Sequence, residues 1–259
     1  MMMSAQIYER VHNNLKHLKL MTIDSLVDDH LEIAAKEKRT TLEVLDYLLD
    51  QEQKSHEDRA FGIRRRLSRF PVEKRLDDFD MSFQPSLDPA VIRDLASLRF
   101  IHHAENVVFL GPPGVGKTHL ALSLGSDAMK QGFRVYFANA ADLIERLEKA
   151  SHENKLEERI KALNKFQLLI VDEMGYLPFN RVGAHCFFQL LSRRYEKSSI
   201  IFTSNKSYGD WGEIFGDPVI ASAVLDRVLH HCTTINIKGD SYRLKEHRKQ
   251  EMVSHCLPG

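Results

Sequence analysis

The chain has 259 residues, room for one large domain or two small ones around a real core. Its 36 Lys and Arg balance 36 Asp and Glu, so the whole lacks the strongly basic footprint of a dedicated nucleic-acid-binding domain. A composition 43% hydrophobic and 28% charged excludes a disordered or collagen-like chain. Cys186, Cys232 and Cys256 are odd in number and lack Cys-x-x-Cys spacing, which excludes a disulfide framework and fits a reducing, cytoplasmic setting. No run approaches the roughly 18 apolar residues of a membrane span, and the N-terminus turns polar before a signal-peptide core can form, so a soluble protein without a membrane partner is expected.

Residues 1–70 carry apolar positions such as Leu15, Leu18, Ile23, Leu26, Val27, Leu31, Val44, Leu45 and Leu48 at spacings of three and four, which predicts amphipathic helices. Thr40 and Glu43 have the form of a capping box that opens one of them. Between Arg59 and Arg75 seven basic residues face the single acid Glu73, and Pro71 interrupts the segment. We read this stretch as a basic hinge, reaching to about residue 78, between a helical N-terminal domain (1–70) and a second domain (79–259). From about residue 78 onward, short apolar runs alternate with helical ones, as in α/β units around a parallel sheet. Asp88-Pro89 is a helix start, an N-cap acid followed by a first-turn proline. Strands are predicted at 106–110, 134–138, 167–171, 199–203 and 233–237. Five such strands separated by helices imply an α/β three-layer sandwich, and the tail from Tyr242 to Cys256 is again helical in pattern and basic.

Between the first strand and the next helix lies Gly-Pro-Pro-Gly-Val-Gly-Lys-Thr over 111–118, a complete G-x-x-x-x-G-K-[ST] P-loop in its confirming context. Glycines let successive amides turn inward toward phosphates, and the following helix adds its positive N-terminal end. Gly111, Pro112, Pro113, Gly114, Val115, Gly116, Lys117, Thr118 and His119 are therefore the candidate nucleotide-binding residues. Lys117 is expected to reach the β/γ-phosphates, Thr118 to ligate Mg²⁺, and His119 to contribute only its backbone.

The third strand ends in Asp172-Glu173, as in Walker B. Asp172 is placed to hold Mg²⁺ and Glu173 to orient and polarise an attacking water, an arrangement that hydrolysis needs and phosphoryl transfer to a small acceptor does not. The fourth strand runs into Thr203-Ser204-Asn205, where Asn205 can hydrogen-bond the attacking water or the γ-phosphate, although Ser-Asn after a strand is equally an ordinary turn. Arg227 and Arg243, taken alone, are surface charges.

With the P-loop, the acid pair, Asn205, Arg227 and Arg243 in this order, residues 80–250 resemble an AAA+ ATPase. The runs at 168–178 (LLIVDEMGYLP), 203–211 (TSNKSYGDW) and 225–231 (LDRVLHH) resemble more closely the IstB-type transposition helper ATPases of insertion sequences, relatives of the DnaC-type helicase loaders. The resemblance spans the whole chain, and its ATPase motifs are its specific part. It implies a five-stranded sheet in the order 5-1-4-3-2, a small all-helical domain before it, and ATP bound between subunits of a homo-oligomer. It further implies Asn205 as sensor 1, Arg227 as an arginine finger donated to a neighbour's ATP, Arg243 as sensor 2, and partners in duplex DNA and a transposase. Two alternatives share the core: a helicase loader, and a non-hydrolysing ATP-gated DNA-binding module.

Zero net charge conceals segregation, for residues 1–58 hold seven basic and twelve acidic side chains while 59–75 are strongly basic. Because DNA needs only a basic surface where its phosphates run, Arg64, Arg65, Arg66 and Arg69 are the candidate DNA contacts, with Lys245, Arg248 and Lys249 of the tail beside them. The pairs His102-His103 and His185-Cys186 and the run His230-His231-Cys232 lack the ligand spacing of a structural zinc site.

Overall fold

A computed structural model of the chain describes residues 2–242. The expected helix in the tail therefore lies outside the described residues, as do Arg243, Lys245, Arg248 and Lys249. The chain divides into two compact units, Met1–Ile63 and Arg64–Gly259.

The first unit is helical: α1 (Met2–His17), α2 (Met21–Glu37) and the greater part of α3 (Thr41–Ser68). Its small core is Ile23, Val27, Ala34, Val44 and Leu48, positions at helical spacing. The capping box forms: the Thr40 amide donates to Glu43 Oε2 at 2.7 Å and the Glu43 amide to Thr40 Oγ1 at 3.3 Å. No side chain of α2's own N-terminus caps that helix. Instead the buried Glu52 of α3 accepts the Thr22 and Ile23 amides at 2.8 and 3.0 Å and is paired with Arg59 at 2.9 Å. Burial works against its charge, yet these donors hold its carboxyl below the ordinary range.

The second unit starts earlier than residue 79. The Arg64 side chain donates to the Met129 carbonyl at 2.9 Å, and Gly125 of the P-loop helix faces the Phe70 ring, so the basic stretch packs against the α/β core and is no free hinge. Short helices α4 (Pro89–Ala96) and α5 (Arg99–His102) follow, the first capped by Asp88 with Pro89 behind it. The core alternates β1 (Asn106–Leu110), α6 (Lys117–Lys130), β2 (Val135–Asn139), α7 (Ala140–His152), α8 (Leu156–Leu163), β3 (Leu168–Met174), α9 (Arg181–Arg194) and β4 (Ser199–Ser204). It closes with α10 (Trp211–Phe215), α11 (Pro218–Leu229) and β5 (Cys232–Asn236).

All four strand pairings are parallel, in the order β2-β3-β4-β1-β5, which from the other edge is the expected 5-1-4-3-2. Strands covered on both faces read as continuous apolar runs rather than alternating ones, and Val107, Val108 and Phe109 of β1 and Leu168 through Val171 of β3 are all fully buried. Four strands both begin and end within one residue of the predicted positions. The exception, β3, runs three residues past its predicted end, through Asp172 and Glu173 to Met174. The order has one decisive consequence: β4 lies between β1 and β3, so whatever stands at its carboxyl end falls between the P-loop and the acid pair.

Candidate nucleotide site

The P-loop curls where predicted. Gly114 and Gly116 have φ of +84° and +99°, a conformation L side chains rarely adopt, and a Cβ on Gly116 would strike the Phe79 ring. Val115 is fully buried and anchors the loop from below. The Lys117 ammonium bridges the carbonyls of Gly111 and Pro112 at 2.7 and 2.8 Å, which holds it at the mouth of the loop. The loop opens into a cleft of about 650 Å³ whose lining includes Lys117, Thr118, Glu173, Thr203 and Asn205. Those residues come from three strand ends that the sheet order brings together.

Asp172 is 6% exposed. Burial raises its carboxyl above the ordinary range, and the hydroxyls of Thr203 and Thr118, which donate to Oδ1 at 2.5 and 2.8 Å, partly counter that. A buried carboxylate flanked by two hydroxyls is a hard-oxygen donor set beside a phosphate-binding loop, the chemistry that suits Mg²⁺. Thr118 and Asp172 would hold the ion.

Glu173 sits at a register break. Val171 stands opposite Phe202 and Met174 opposite Ser204, so three steps along β3 match two along β4. The bulge throws Glu173 into a left-handed conformation, φ +60°, costing about 1–2 kcal/mol for a residue with a Cβ. Its displaced amide donates to Thr203 Oγ1 at 2.9 Å. Its carboxylate accepts from Asn139 Nδ2 at 2.6 Å. The orientation of that amide group is settled by its other end, because Asn139 Oδ1 caps α7 by accepting the Ala141 amide at 3.0 Å. Only the NH₂ remains to face Glu173.

Asn139 and Thr203 escaped sequence reasoning. Asn139 reads as an ordinary helix cap and Thr203 as an ordinary β-branched strand residue; the third dimension adds their second bonds. A second surprise is the aromatic lining of the cleft. Val72 and Asp78 from the supposed hinge and Phe79 and Asp80 just beyond it line it, and the Tyr242 amide and hydroxyl donate to the Gly114 and Asp80 carbonyls at 2.9 and 2.8 Å. His119 contributes more than its backbone, since Nε2 lies 2.9 Å from the Arg75 carbonyl and its ring meets Phe79 edge-on.

Other expected site residues lie elsewhere. Arg227, on α11, stacks over Phe188 at 4.4 Å from the ring centroid, donates to the Ala223 carbonyl, and is absent from the cleft of its own chain. Arg243 lies outside the described residues. Of the basic cluster, Arg64 is engaged as described, Arg65 pairs with Glu73 at 2.7 Å and Arg69 lies over Tyr136. Arg66 is exposed. Spacing within the sequence could not show that His230 and His231 meet Glu196, whose Oε1 is 3.8 and 3.7 Å from their ring nitrogens, in an exposed cluster.

The pattern of the IstB-like ATP binding proteins matches residues 13–250. The chain is 52% identical to an insertion sequence IS21 putative ATP-binding protein of Pseudomonas aeruginosa, over 93% of this chain and 91% of that one. It is 45% identical to its counterpart from insertion sequence IS5376 of Geobacillus stearothermophilus, over 94% and 97%. Among solved structures, that of DnaI superposes with a TM-score of 0.54 at 20% identity, covering 67% of this chain and 94% of that one, a likeness of fold alone. No helix among the described residues is long and apolar enough to cross a membrane.

Proposed function

The chain belongs to the IstB-like ATP binding protein family, and from that premise we propose that it is an ATP-hydrolysing transposition helper. In this reading it works in the cytoplasm, assembles on duplex DNA as an ATP-dependent homo-oligomer, and recruits or stimulates a transposase at the target site. The insertion-sequence names of its relatives support the setting. The observation that carries hydrolysis is the placement of Glu173 beside the buried Asp172, at the wall of the P-loop cleft.

Lys117 and the loop amides bind the phosphates, and Arg243 touches them from the same chain. Mg²⁺, held by Thr118 and Asp172, would neutralise charge that develops on the β- and γ-phosphate oxygens. Glu173 takes a proton from the attacking water, and Asn205, exposed at the end of β4, orients that water. Arg227 serves a neighbouring copy's cleft. The test is ATP turnover together with particle size and DNA occupancy, with and without a non-hydrolysable ATP analogue. Turnover with ATP-dependent growth on duplex DNA is expected. Loading of a helicase onto single strands instead would overturn the helper reading, and wild-type protein without turnover would overturn the hydrolytic one.

Two further outcomes follow from the geometry. The bond from Asn139 fixes Glu173 Oε2 toward β2, and a hydrogen bond to a charged group contributes about 1.5–3 kcal/mol against the carboxylate turning to the attacking water. Asn139→Ala is therefore expected to raise the unstimulated turnover several-fold with nucleotide affinity unchanged, as steady-state rates and a fluorescent-nucleotide titration would show. DNA contact through the basic cluster falls chiefly on Arg66 and Arg65, because Arg64 is tied to the Met129 carbonyl whereas the exposed Arg65–Glu73 pair is weak in water and can open to a phosphate. Replacing both with Ala should reduce the slope of log affinity against log salt by about two. An unchanged slope in a duplex titration would remove the cluster from the interface.

A further inference from the structure

Thr203 belongs to neither acid motif nor P-loop, and it is 1% exposed in the strand between them. We propose that Thr203 is the positioning residue that sets the two acids of the site relative to each other, Asp172 through its carboxylate and Glu173 through its backbone. The inference deepens the hydrolytic reading and rests on it for the consequence in turnover.

A hydroxyl has one proton to give and lone pairs to receive. At Thr203 both uses are spoken for, and their directions are forced. The Glu173 amide can only donate, so Oγ1 accepts from it at 2.9 Å. The proton of Oγ1 then goes to Asp172 Oδ1, at 2.5 Å. One oxygen atom thus ties consecutive residues of β3 from the neighbouring strand, at the point where the β3/β4 ladder is interrupted between Val171 and Met174.

The interruption makes the tie necessary. A bulge pushes the Glu173 amide out of the ladder and costs it its strand partner; at this part-buried position the bond to Thr203 replaces that partner and contributes about 0.5–1.5 kcal/mol. Glu173 also carries a left-handed φ of +60°, which persists only where its surroundings enforce it. On the other side, β3 stays in register with β2 up to the pair Asn139 and Asp172, where β2 ends, so the strand alongside Glu173 is β4, where Thr203 stands. Asp172 Oδ1 additionally accepts from Thr118 at 2.8 Å. Thr203 from β4 and Thr118 from the P-loop helix therefore aim the same carboxylate oxygen, and Thr203 alone of the two also holds the turn that presents Glu173.

Thr203→Val preserves shape and removes the hydroxyl, whereas Thr203→Ser preserves the hydroxyl and removes a methyl. Partners of metal-site ligands typically carry a 10–100-fold effect on metal affinity or activity. For Thr203→Val we expect kcat to fall by that factor with KM within about threefold of wild type, and the increment in ATP affinity that Mg²⁺ adds over EDTA to fall by about tenfold. Thr203→Ser should restore both. Melting temperatures establish that each variant is folded; if Thr203→Val is not, Thr203→Ala, which leaves space for a water at the Glu173 amide, takes its place in the same measurements. A Val or Ala variant with unchanged Mg²⁺ increment and unchanged kcat overturns the proposal, as does a Ser variant that restores neither. The Mg²⁺ increment is read without turnover, so a wild-type protein that binds ATP without hydrolysing it would sink the hydrolytic reading while still testing this one.

Discussion

Glu173→Gln is expected to bind ATP as the wild type does and to turn it over ~10²–10⁴-fold more slowly, the span that a positioned general base contributes. The substitution is nearly isosteric and retains an oxygen that can accept from Asn139 Nδ2, so the bulge, the left-handed turn and the Thr203 bond to its amide all have reason to survive. What disappears is the capacity to take a proton from water. Phosphate release under single-turnover conditions, beside a titration with fluorescent ATP, separates the two effects. A second readout concerns assembly: with hydrolysis blocked and binding intact, the ATP-dependent oligomer on DNA should outlast that of the wild type. Wild-type turnover in Glu173→Gln would show that another group activates the water, and the assignment of Glu173 would fall.

Arg227→Ala should spare ATP binding and suppress turnover by ~10³-fold or more, because a finger arginine neutralises charge that spreads over the γ-phosphate only in the transition state. The argument for action on a neighbour is positional. Arg227 rests over Phe188 and on the Ala223 carbonyl, away from the cleft of its own chain. Its partner variant is Lys117→Ala, which loses the phosphate-binding ammonium and keeps Arg227. Each variant alone should be inactive. Mixed, they create interfaces with an intact P-loop on one side and an intact arginine on the other, and turnover should return in proportion to such interfaces. Failure of the mixture to recover, with both variants shown to co-assemble by size, would place Arg227 outside the reaction.

The supposed hinge is where sequence and structure part most instructively. Seven basic residues and a proline between 59 and 75 read as a solvated connector because charge density is a local property. Yet Phe70 meets Gly125, Arg64 meets the Met129 carbonyl, and Val72 and Lys74 line the nucleotide cleft, all partners more than thirty residues away. The charges of the cluster are likewise less uniform than their spacing suggests, with Arg66 exposed while Arg65 pairs with Glu73 and Arg69 covers Tyr136. Zero net charge therefore bears on DNA binding in a narrow way. Three of the cluster's four arginines are engaged within the subunit, and avidity from assembly would have to supply the rest.

What was legible from residue order was chemistry encoded over short spans: the P-loop, whose glycines and lysine must be contiguous to wrap a phosphate; the acid pair, which must end a buried strand; and the strands themselves, because a parallel sheet covered on both faces demands unbroken apolar runs. Pairwise relations between distant strands were a different matter. Asn139 and Thr203 carry no mark of their roles, since a helix-capping asparagine and a strand threonine are common everywhere. They acquire those roles because β2 and β4 flank β3 on either side, and because a bulge in β3 leaves one amide and one carboxylate needing partners from its neighbours. Register is a cooperative property of the whole sheet, and no window of sequence contains it.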